Sequence, residues 1–190
     1  FGKIFKNKSK HPSHSMGKSI ISYIAGHAIC KGYISGINHK LNDWPILEKT
    51  LFYNQPLINP LNMASGDYKY IKSKGGGEFK NSKRWVNTPS IQSIMENEMK
   101  NTTAAKSKYS YSNLNTNLVG SYVLYKMGKK DFKKMLNEIF VDKVGIEYDM
   151  IIKKQRRAKS NEASLTYGMH ITRYDFLRIA VAMLDDWNNN

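Results

Sequence analysis

The feature of this 190-residue chain that most restricts its fold is apolar spacing of the helical kind. It recurs in separate segments, while the strict alternation of a half-buried strand is nearly absent. Met16, Ile20, Ile24, Ala28 and Ile29 predict a helix over 15–31, with Gly32 just past its end where a left-handed residue is expected. Thr88-Pro89 reads as a cap and first turn, followed by Ile91, Ile94, Met95 and Glu98 at the same period. Val119 to Met127 predicts a short buried helix. Phe132, Met135, Leu136, Ile139 and Phe140 form one stripe over 131–140. Thr172 with Asp175 resembles a capping box, and Phe176, Ile179, Ala180, Met183, Leu184 and Trp187 then line one face.

Between these segments the chain is punctuated. Pro45, Pro56 and Pro60 break residues 33–70 into short elements, and Ser65-Gly66-Asp67 reads as a turn. Lys72 to Arg84 carries Gly75-Gly76-Gly77 and many charges, so an exposed, flexible loop is expected. No Lys-Ser/Thr follows those glycines, as a phosphate loop would require. Residues 142–168 carry no clear period, and there is no internal repeat.

Composition narrows the class further. Apolar residues make up 41%, below the usual share, but they fall in periodic clusters, which argues for a folded chain. No run approaches the roughly 18 apolar residues of a membrane span. Phe1 to Lys10 is basic with no apolar stretch after it, so no signal peptide is visible, and the first residue is not Met. The one cysteine, Cys30, falls in an apolar helical stretch and is expected to be a buried thiol. A disulfide framework is excluded within this chain, and a cysteine-based zinc site is not expected. His11 and His14 lack a carboxylate or cysteine cluster to join them as metal ligands, and His27, His39 and His170 read as packing or surface residues. The formal charge of +15 makes anionic partners legitimate candidates, but only Lys153 to Arg157 forms a compact basic run.

Ser15-Met16-Gly17-Lys18 fits the S-x-x-K pattern. A serine hydroxyl is a weak nucleophile at neutral pH and needs a base beside it. Residues three apart on a helix share a face, with roughly 5–6 Å between Cβ atoms, so Lys18 can reach Ser15 without any long-range contact. Ser15 also falls at the helix N-terminus, where free amides and the dipole favour developing negative charge. Alone the motif is weak, because Ser and Lys are abundant here and a capping serine beside a surface lysine explains it equally well.

Tyr111-Ser112-Asn113 adds a Y-x-N motif roughly 90 residues later. At this point the chain resembles the class C β-lactamase, DD-peptidase and esterase family of serine hydrolases. Three further stretches carry the resemblance: His14 to Ile34 as the nucleophile helix and its exit, Asn59-Pro60-Leu61-Asn62-Met63-Ala64-Ser65-Gly66, and Tyr167-Gly168-Met169-His170 through Leu184. Together they cover about residues 13–187. The resemblance implies an acyl-enzyme at Ser15, whose own N–H would be half of an oxyanion hole. It implies proton transfer through Lys18 and Tyr111, and a substrate contact from Asn113 that also holds Lys18. A phenol with an ordinary pKa near 10 needs a cation beside it for this role, and Lys18 can be that cation.

The expected fold class is therefore α/β of the α+β type: an antiparallel sheet flanked by helices plus a helical subdomain, with this chain mostly helical. Residues 1–190 are expected as one domain, incomplete at both ends, with 15–32 the nucleophile helix, about 40–140 the helical subdomain and 172–187 a further helix. The family's third motif, K-T-G or H-x-G on a strand, does not occur after Asn113, so weak turnover by this chain alone is expected. The implied partner is a small-molecule or peptide substrate with a reactive carbonyl. No metal or organic cofactor is implied, and nucleic acid is not the expected partner. The family suggests a periplasmic or extracellular setting. Two other readings stay open. One is an inactive relative that still recognises cell-wall peptide. The other is a basic module binding nucleic acid through Lys153 to Arg157 and the tyrosines around 109–111. Reactivity of Ser15 separates them from the hydrolase.

Overall fold

The structure, a computed structural model, describes residues 6–72 and 77–189. Helices dominate. They are α1 (Met16–Cys30), α2 (Ile58–Leu61), α3 (Ile91–Asn97), α4 (Asn113–Leu136) and α5 (Arg173–Asn189). Three short strands, β1 (Lys10–Pro12), β2 (Ile151–Lys154) and β3 (Leu165–Thr172), form one antiparallel sheet in the order β1-β3-β2. β2 and β3 lie in the region without a sequence period, and a register shift between Ile152 and Lys154 shows why: the bulge disrupts alternation.

The core is built around α4, which packs on both α1 and β3. α1 buries Ile20, Ile21, Ile24, Ala25 and Ala28. Gly120 on α4 lets Ile21 approach the helix backbone, since a Cβ there would lie 3.1 Å from Ile21 Cδ1. One expectation for α1 fails on this geometry, that of a buried Cys30. Met16 is exposed, and Cys30 is exposed rather than buried, because it continues the outward stripe of Ser19, Ser22 and Gly26.

α4 starts six residues before the predicted helix and runs through the gap between the two predicted segments. Asn115, Thr116, Asn117 and Ser121 are buried, so polar residues here do not mark a solvent face. They are satisfied instead: Asn117 Oδ1 accepts from Tyr167 N–H at 3.0 Å, and Ser121 Oγ accepts from Leu165 N–H at 2.8 Å. The two predicted stripes are separated by Gly128, whose φ of 70° is non-helical. Past Leu136 the chain widens into a π-helical turn over Asn137–Lys143.

Three other expectations are adjusted. The cap of α3 is Ser90, not Thr88; its side chain accepts from Ser93 N–H at 3.1 Å. The loop over 72–84 is anchored rather than fully exposed: Phe79 is buried and pairs with Ile71, while Gly75 and Gly76 lie outside the described residues. The capping box of α5 forms, with Asp175 N–H donating to Thr172 Oγ1 at 3.2 Å. The apolar face of α5 does not bury as a continuous stripe. Ile179 is buried, Phe176 and Met183 are half-buried, and Ala180, Leu184 and Trp187 are exposed. No helix among the described residues is long and apolar enough to cross a membrane.

Candidate active site

The chain reaches Ser15 from β1 under tight control. Ser13 is fully buried and bonds twice to β3: its N–H donates to Met169 O at 2.8 Å, and its Oγ accepts from Met169 N–H at 3.0 Å. His14 follows with φ 45°, a left-handed conformation that a non-glycine residue adopts at some cost. Ser15 then sits at the N-cap position of α1, yet its side chain makes no capping bond. Its Oγ lies 2.7 Å from the Tyr111 hydroxyl, 96 residues away in sequence. The reading of Ser15 as an ordinary capping serine therefore does not hold. The Ser15 N–H has no hydrogen-bond partner among the described residues, so it is free to face an oxyanion.

Lys18 lies one turn further along α1 and is not a surface lysine; only 7% of it is accessible. Its Nζ sits 3.5 Å from the centroid of the Tyr167 ring and 4.7 Å from that of Tyr111. These rings favour a cation electrostatically. Nζ has no hydrogen-bond partner among the described residues. Burial raises the Tyr111 phenol, but the Lys18 charge and the Ser15 hydroxyl outweigh it and hold Tyr111 below the ordinary tyrosine value.

Asn113, two residues after Tyr111, is the first residue of α4 and is buried, with its Oδ1 also unpartnered. The expected hold of Asn113 on Lys18 is not made: Lys18 Nζ turns to the aromatic faces instead. Buried polar atoms left without partners are rare, and among the described residues Lys18 Nζ, Asn113 Oδ1 and Asp67 Oδ1 are such atoms.

The Tyr111 loop is fixed from below by a residue that sequence reasoning passed over as part of a turn. Asp67 Oδ2 accepts from Ser112 Oγ at 2.7 Å and from Asn115 Nδ2 at 2.9 Å. Ser65 Oγ donates to Asn115 Oδ1 at 2.6 Å. Burial pushes the Asp67 carboxyl up, and the two donors only partly offset it. The Ser65-Gly66-Asp67 segment was flagged by its turn chemistry, but nothing in its local pattern tells that it supports residues 112 and 115. Tyr167, Ser13 and Gly17 were likewise missed as parts of the site.

Along the sheet, a cleft of about 720 Å³ is lined by residues of β2 and β3 together with Ser13 and His14.

With helices flanking a small antiparallel sheet, and α1 delivering a serine and a lysine beside a tyrosine, the architecture can be compared with known folds. The fold is β-lactamase-like. A class C beta-lactamase superposes with a TM-score of 0.58 at 16% sequence identity, over 87% of this chain and 47% of that one. The chain thus spans about half the length of the β-lactamase it matches. No family model matches the sequence, and no curated protein does. At this identity the β-lactamase likeness carries the fold alone.

Proposed function

We propose that this chain carries the acylating centre of a β-lactamase-related serine hydrolase, acting on an amide, ester or β-lactam carbonyl. The observation that supports it most is the 2.7 Å contact between Ser15 Oγ and Tyr111 OH beside the buried, unbonded Lys18 Nζ. Ser15 is the nucleophile. As its oxygen bonds to the carbonyl carbon, its proton passes to the Tyr111–Lys18 pair. The Ser15 N–H faces the developing oxyanion. When the tetrahedral intermediate collapses, the carbon–leaving-group bond breaks and the leaving group takes the proton from the same pair. Water then releases the acyl group along the reverse path. The unpartnered Oδ1 of Asn113 is the substrate-facing acceptor.

The test is covalent labelling of the full-length protein by a fluorescent fluorophosphonate and a fluorescent penicillin, with Ser15→Ala as control. Labelling that disappears in the variant supports the reading, and the preferred probe separates esterase from penicillin-type chemistry. A folded protein that takes neither label overturns it.

A further inference from the structure

Lys18 is a buried cation without a counter-charge. Its ammonium carries three N–H donors and no hydrogen-bond partner, and among the described residues no aspartate or glutamate forms an ion pair with it. Taking an ammonium out of water costs free energy unless something replaces the lost solvation. The carbonyl that the sequence resemblance offers for this, Asn113 Oδ1, is itself left unpartnered. What the ammonium meets is the faces of two rings, with Nζ 3.5 Å from the Tyr167 centroid and 4.7 Å from that of Tyr111. Attraction of a cation to a ring face is strongest where both are desolvated.

The fold makes Tyr167 a fixed platform. Leu165 and Met169, two residues to either side on β3, are core residues, so strand alternation turns the Tyr167 side chain to the same face. Its N–H donates to Oδ1 of the fully buried Asn117 at 3.0 Å, and Asn117 Nδ2 donates in turn to Asn87 Oδ1 at 2.8 Å. Its carbonyl oxygen lies against Gly17, so α1 and β3 meet one residue before Lys18. None of these backbone contacts involves Lys18, so the platform stands without the ammonium on it. Tyr111 is placed differently: it stands just before α4, and its hydroxyl is already engaged with Ser15 Oγ at 2.7 Å. Burial raises the Tyr111 phenol while Lys18 and Ser15 work against it, so a drift of Lys18 off its platform reaches the proton carrier.

Resting on the hydrolase reading above, we propose that Tyr167 is a positioning residue for Lys18: the electron-rich face of its ring, rather than a hydrogen bond to Asn113, holds the ammonium beside Tyr111 and leaves Asn113 Oδ1 free.

The test replaces Tyr167 by Phe, and then by phenylalanines carrying one, two or three ring fluorines, which drain the negative ring face at nearly constant size. Stopped-flow fluorophosphonate labelling reads the rate across pH. The Ser15 Oγ–phosphorus bond forms as fluoride leaves, and the serine proton goes to Tyr111 and Lys18. Tyr167→Phe keeps the ring and is expected to keep the native rate and inflection. Each added fluorine lowers the rate, to about tenfold below Tyr167→Phe at the end of the series, and moves the inflection upward. A rate that stays level or rises along the series overturns the proposal. So does a Tyr167→Phe protein as slow as the trifluoro one, since the hydroxyl would then carry the role. A readout without any reaction keeps this separate from the hydrolase reading: the Lys18 ε-methylene NMR signal, identified by its loss in Lys18→Met. Over a ring face it is shifted upfield of other lysines. If Ser15 proves unreactive, the hydrolase reading fails and this signal decides. A downfield move in Tyr167→Leu that is absent in Tyr167→Phe upholds the hold of Tyr167 on Lys18, and a signal indifferent to loss of the ring rejects it.

Discussion

Gly17 lies so close to β3 that a Cβ at this position would sit 2.0 Å from the Tyr167 carbonyl oxygen and 2.7 Å from Ser13 Oγ. The first contact is with backbone, which cannot swing aside. The glycine inside Ser15-Met16-Gly17-Lys18 is thus what lets the start of α1 press against the strand that carries Tyr167, and so brings Lys18 over the Tyr167 ring.

Gly17→Ala is expected to force α1 away from β3. Overpacking of this kind costs about 1–3 kcal/mol, so the melting temperature falls by several degrees. Labelling of Ser15 falls with it, because Ser13 and His14 are displaced together. Gly26→Ala, where no atom lies within 4 Å of the added Cβ, is the control and leaves both readings unchanged or slightly improved. Equal melting temperatures and labelling for the two variants would show that the contact is not structural.

Tyr111→Phe removes the hydroxyl beside Ser15 Oγ while keeping the ring that faces Lys18. Loss of a positioned proton carrier lowers acylation by about 10²–10⁴-fold. The ring contact with Lys18 stays, so the thermal melt should move little. A variant that keeps near-normal labelling would leave Lys18 as the sole base.

The pH dependence of labelling carries the sign of the Tyr111 shift. Tyr111 is held below the ordinary tyrosine value, so its phenolate is gained at lower pH than for a free phenol. Acylation should rise with pH and level off below about 10. In Lys18→Met the cation is gone and only the Ser15 hydroxyl still opposes burial, so the inflection moves upward while the maximal rate drops. Stopped-flow labelling across pH reads both. An inflection that stays fixed in Lys18→Met would separate it from Tyr111.

The four proposed catalytic and substrate-binding residues could be named from the sequence because each sits in a short motif whose chemistry is local: Ser15 with Lys18 at the start of α1, and Tyr111 just before α4 with Asn113 at its first position. What positions them was not. Asp67 supports Ser112 and Asn115 across 45 and 48 residues, and such a contact leaves no period in the sequence. The start of α4 was hidden for a related reason. Asn115, Asn117 and Ser121 look like solvent-facing residues, yet they are buried and bonded to neighbouring loops and β3. In α5 the helical spacing of Leu184 and Trp187 marks an apolar face, yet both residues are exposed. Periodicity reports which face is apolar, not what covers it.

Asp67 offers a test of whether the Tyr111 loop is held by a neutral or a charged group. Its carboxyl is raised by burial, so the folded state binds the proton more tightly than the unfolded chain. The stability linked to that proton is full below the unfolded value near 4 and is lost as pH rises through the folded value. Asp67→Asn keeps an oxygen for Ser112 and Asn115 and never carries charge. The variant should therefore match or exceed the native protein in melting temperature at pH 7, with the native protein gaining on it as pH falls towards about 4. Asp67→Ala instead leaves two buried donors without an acceptor, at about 1–3 kcal/mol each, and loosens Tyr111 so that Ser15 labelling declines at every pH. Thermal melts of the three proteins across this range decide the matter. If Asp67→Asn becomes progressively less stable than the native protein as pH rises, the native carboxylate is ionised and stabilising, and the loop is held by charge.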